Sequence, residues 1–126
     1  MIHFKINESI YHVPLFIFIG EYSDYQEVLR KKYNLNCTKQ LYFGGESKIL
    51  TQRGNAICII WLPKFDYNNA QNMATLVHEL DHTTFYILEH INIPILDNQS
   101  NHAYIYLKEY FLTKALKKLK GAENGN

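Results

Sequence analysis

The segment "NNAQNMATLVHELDHTTFYILEHI", residues 68 to 91, runs without a Gly or Pro and stops shortly before Pro94. Met73, Val77, Leu80, Ile87, Leu88 and Ile91 recur at helical spacing and make one apolar stripe. A long amphipathic helix of this kind must lie on a core that the rest of the chain supplies. Two other segments offer one. "VPLFIFIG" is β-branched and aromatic and reads as a buried strand ending at Gly20, and "NAICIIWL", residues 55 to 62, is a second that stops at Pro63.

Around these the chain alternates less sharply. "MIHFKI" reads as a short strand, and "LYFGGESKIL" as two short β pieces about Gly44 and Gly45. "SDYQEVLRKKY", residues 23 to 33, reads as a helix capped by Ser23, with Tyr25, Val28, Leu29 and Tyr33 on one face. After the loop "NIPILDNQSN" comes a last helix, "HAYIYLKEYFLTKALKKL", and then "GAENGN", which reads as a frayed end. The order β, β, α, β, β followed by two long helices predicts an α+β domain, with a small N-terminal sheet and one helix ahead of the helical pair. One domain over 1–119 and a tail over 120–126 are expected from a chain of 126 residues.

Charge narrows the function. A formal net charge of +1 gives no basic stripe for nucleic acid, and the lysines of "KALKKLK", residues 114 to 120, read as a solvated helix end. The apolar run near the N-terminus falls far short of the roughly twenty residues a membrane helix needs, and no signal peptide is recognisable. A cytoplasmic protein is expected. Cys37 and Cys58 are too few for a disulfide framework, and neither has a CxxC partner; Cys58 reads as core.

The helix carries one pattern that charge and packing do not explain: "HELDH", with His78 and His82 four residues apart and Glu79 beside the first. Residues four apart share a helix face, so both imidazoles can address one point. Zinc accepts imidazole nitrogen at about 2.0–2.1 Å. Glu79 then stands next to the metal but not on it, where a general base takes a proton from zinc-activated water. With this composition the pattern arises by chance in roughly 2% of shuffled chains. Asp81, inside the motif, points away from the ligand side and reads as a solvated or capping acid. Glu89, two turns beyond His82, is placed to hydrogen-bond an imidazole or to sit on the surface. His90 is about 16 Å along the helix from Glu79 and too far to share its ion.

"HELDH" followed by "SNHAYIYL" resembles the gluzincin branch of zinc metallopeptidases. "FYILEHINIPILDNQSNHAYIYL", from Phe85 to Leu107, is still more similar to small zincin-like proteins encoded by phages and prophages. The likeness covers roughly residues 70 to 115 and is general elsewhere. It implies a zincin-like fold, a Zn2+ cofactor, and a third ligand from an Asn-Glu-Ala stretch at the start of the next helix. Here Asn101, His102 and Ala103 occupy that stretch, so His102 stands where the family has Glu, and Tyr106 stands in place of a further family acid. The resemblance thus implies zinc held by His78, His82 and His102, with Glu79 catalytic. Asn101, Tyr104 and Tyr106 join Glu89 as candidates to support the ligands or an oxyanion. It also implies that a strand before the motif helix pairs with substrate, a place "NAICIIWL" holds in chain order.

Two functions follow as expectations. One is a metallopeptidase acting on a peptide or protein substrate. The other is a virion or host docking module that keeps zinc as a structural staple and binds phage structural proteins, which would make it virion-associated.

Overall fold

The structure is a computed structural model that describes residues 1–36, 44–94 and 98–123. Its elements are β1 (Ile2–Ile6), β2 (Leu15–Ile19), α1 (Tyr22–Tyr33), β3 (Glu46–Gln52), β4 (Asn55–Leu62), α2 (Ala70–His90) and α3 (Asn98–Glu123). This is a small α+β domain with a four-stranded sheet in the order β1-β2-β4-β3. The β2–β4 pair is parallel, and both outer pairs are antiparallel.

The two apolar runs are the central strands, and each is covered on both faces. From β4, Cys58, Ile60 and Leu62 turn to α2 and α3, while Ile59 and Trp61 turn to α1. From β2, Leu15, Ile17 and Ile19 share the first face and Phe18 the second. A strand buried on both sides has no polar side to show, so its sequence is continuous rather than alternating. Each fully buried Leu or Ile here contributes about 1.5–3 kcal/mol of transfer free energy. On the larger core, Leu76, Leu80, Ile87 and Leu88 of α2 meet Leu107, Phe111, Ala115 and Leu119 of α3.

The element limits correct the sequence at a few places. Ser23 does not cap α1: the cap position falls two residues earlier, at Glu21, which makes no side-chain cap. At α2 the cap is Asn69, whose side chain accepts from the Asn72 N–H at 3.0 Å. Of the two β pieces expected in "LYFGGESKIL", the second is β3 and the first falls largely at 41–43, outside the described residues. β3 and β4 are joined by Arg53 and Gly54, both at positive φ (53° and 82°), the two-residue turn whose twist suits a hairpin. The tail expected from 120 is still helical to Glu123. Among the described residues, no helix is long and apolar enough to cross a membrane.

Candidate functional site

The site lies where α2 passes the start of the edge strand β3. Leu76, Leu80, Thr83 and Ile87 face the core, so the opposite side of the helix presents Thr75, His78, His82 and Tyr86 in one row. Thr83 and Thr84 are fully buried, and their hydroxyls donate to the Glu79 and Leu80 carbonyls one turn back at 3.0 and 2.8 Å. A cavity of about 530 Å³ opens over the row, lined by Gly44, Gly45, Glu46, Ser47 and these helix residues together with Glu79.

His78 and His82 are exposed, and their Nε2 atoms stand 3.2 Å apart. The rings meet edge to face at 4.8 Å. Two nitrogens each about 2.05 Å from one zinc ion and 3.2 Å from each other subtend roughly 103° at it, close to tetrahedral. The same spacing is a hydrogen bond when only one of the two nitrogens carries a proton. Both arrangements require the two rings to converge, and they do.

Glu79 is turned about 100° from His78 around the helix and is only 6% exposed. Its stem packs under the start of β3. A methyl group on Gly45 would lie 3.3 Å from Glu79 Cγ and 3.1 Å from both the Trp61 carbonyl and Leu62 Cδ2. Gly45 is therefore what lets the edge strand approach the acid so closely. Among the described residues, the Glu79 carboxylate has no hydrogen-bond or ion-pair partner, yet its oxygens are not sealed from solvent. The acid thus has a buried stem and unengaged oxygens, and it lines the same cavity as the two imidazoles.

The other sequence candidates lie elsewhere. His102 is exposed. Tyr104, two residues on, meets α2 through Asp81 and Phe85. At about 100° per residue, His102 stands some 200° round α3 from that contact. Among the described residues, no three His, Cys, Asp or Glu side chains are gathered closely enough to hold an ion. His78, Glu79 and His82 line one cavity, and His102 is not among the residues that line it. The side chain of Asn101 is outside the described residues.

Tyr104 and Tyr106 are committed to holding the fold. The Tyr104 hydroxyl donates to Asp81 Oδ1 at 2.5 Å, and Lys108 Nζ lies 2.8 Å from the same oxygen. Asp81 is thus half-buried and paired between α2 and α3, not the solvated or capping acid its position suggested. Partial burial and the Asp81 carboxylate push the Tyr104 hydroxyl up to about 12. Tyr106 donates to Glu8 Oε1 at 2.8 Å, and Glu8, 3% exposed, also accepts from the Ile10 and Tyr11 N–H groups. That bond, with partial burial, pushes the Tyr106 hydroxyl up to about 12. Glu89 and His90 are exposed, and no contact from Glu89 to His82 is present among the described residues. Cys58 is fully buried in the core; Cys37 lies outside the described residues.

The strand offered for substrate pairing also changes. β4 is flanked by β2 and β3 and has no free edge; the edge beside His78 and Glu79 belongs to β3. Sequence reasoning missed Gly44 to Ser47, Thr75 and Tyr86. The doubled glycine was a signal of close backbone approach, and Tyr86 continues the spacing of His78 and His82 by one turn. No protein-family model, curated protein or solved structure matches the chain.

Proposed function

We propose that the protein is a zinc-dependent peptidase of zincin-like design, with His78 and His82 as metal ligands and Glu79 as the general base. The observation that carries this is the convergence of the two Nε2 atoms to 3.2 Å on a helix whose intervening acid reaches the same cavity. When bound, zinc supplies a Lewis acid and lowers the pKa of its water to about 7. Glu79 accepts the proton of the attacking water and passes it to the leaving amine. Burial of its stem against Gly45 fixes the carboxylate in place. The edge of β3 that no strand covers among the described residues offers backbone N–H and C=O groups along which an extended peptide can lie, so side-chain sequence is tolerated.

Two imidazoles are one protein donor short of the three that catalytic zinc sites take. His102, the donor the resemblance implies for that place, does not line the cavity. This shortfall favours the second function, a non-catalytic docking module in which the metal or the His78–His82 hydrogen bond only stiffens the helix. Cleavage of a mixed peptide library by the wild type and by Glu79→Gln separates the two. Cleavage lost in Glu79→Gln with zinc still bound supports the peptidase. Zinc binding with no cleavage in either supports the docking module.

A further inference from the structure

We infer that Tyr86 is a positioning residue for zinc binding: its ring, stacked on His82, holds the His82 imidazole turned toward His78. This rests on the proposed metal site. The Tyr86 and His82 rings lie 6.2 Å apart, centre to centre, and 21° from parallel. His82 thus has His78 against its edge on one side and the Tyr86 face on the other. An exposed imidazole on a helix otherwise exchanges rotamers freely. Two exposed imidazoles meet the same ion only if both hold the right rotamer at once, so an unsupported pair loses affinity to rotamer entropy. Metal-bound histidines are normally fixed by a carboxylate or carbonyl on the second ring nitrogen. Among the described residues His82 has no such hydrogen bond; the interactions of its ring are with His78 and Tyr86. The flat tyrosine takes over the orienting role, one helical turn further on. Tyr86 is half-buried and lines the cavity shared with Glu79.

The ring rather than the hydroxyl carries this effect, which sets the test. Zinc affinity is measured by competition with a chromophoric chelator for the wild type, Tyr86→Phe and Tyr86→Leu, and for Tyr86→Leu in a His82→Ala background. Tyr86→Phe is expected to bind zinc within about twofold of the wild type, and Tyr86→Leu about 10–100-fold more weakly, the range for loss of a ligand-orienting group. In the His82→Ala background Tyr86→Leu is expected to change nothing further, because its only route to the metal is through that ring. Circular dichroism and melting of the metal-free variants report folding separately. Equal affinity for the wild type and Tyr86→Leu overturns the inference and leaves the metal site standing. So does a loss that persists without His82. A wild-type chain that takes up no zinc overturns both the inference and the site.

Discussion

Replacing Gly45 by Ala tests how closely the edge strand packs on the acid of the site. The added methyl meets the Trp61 carbonyl and Leu62 Cδ2 at 3.1 Å and Glu79 Cγ at 3.3 Å. The carbonyl cannot yield, because Trp61 is held in the ladder opposite Glu46. Gly45 does not have positive φ, so Ala brings no backbone penalty and reduces unfolded-state entropy, a gain of about 0.4–1 kcal/mol. Overpacking of a tight contact costs about 1–3 kcal/mol, leaving a net loss of about 1–2 kcal/mol. For a domain of this size that lowers Tm by roughly 3–8 °C. Gly44 is the internal control: among the described residues its Cβ would meet nothing within 4 Å, so Gly44→Ala should keep the entropic gain and melt at or slightly above the wild type. Urea unfolding of the three proteins, with unchanged slope, measures the differences. Gly44→Ala and Gly45→Ala of equal stability would refute the close approach of β3 to Glu79.

Other outcomes follow from groups outside the site. Burial pushes the Cys58 thiol up to about 12, so in a Cys37→Ser background it should resist a thiol reagent at pH 8 for hours and react at once in guanidinium; rapid native labelling would contradict its burial. The Tyr106 hydroxyl is held near 12 by Glu8, above the ordinary tyrosine value of about 10. A raised folded pKa gives stability that is complete below pH 10 and lost as pH rises from 10 to 12. Tyr106→Phe should flatten the fall in Tm over that window, and an unchanged alkaline profile would count against the Glu8 bond.

The strands and helices were legible because two hydrophobic runs and two helical stripes leave few ways to bury themselves. The double-sided burial of Ile59 and Trp61 against α1 and of Ile60 and Leu62 against α2 was not, since a continuous apolar run does not say what covers it. The same ambiguity hid which strand was the edge. Within the site, His78, Glu79 and His82 lie in one helical turn, so local periodicity alone places them. His102 depends instead on the rotational setting of α3 against α2, which the Asp81–Tyr104–Lys108 cluster fixes through tertiary contacts with no sequence signature. Tyr104 and Tyr106 illustrate the converse: tyrosines near a motif were drawn on as chemistry, and their hydroxyls are spent on Asp81 and Glu8.

X-ray absorption at the zinc edge on the purified chain reloaded with one equivalent of zinc tests the central claim most directly. It counts imidazole ligands without regard to substrate. One ion is expected at about 2.0–2.1 Å from at least two imidazole nitrogens, with binding weakened but still measurable in His78→Ala and in His82→Ala and kept at full strength in Glu79→Gln. Zinc held equally well without either histidine, or not held at all, would contradict it.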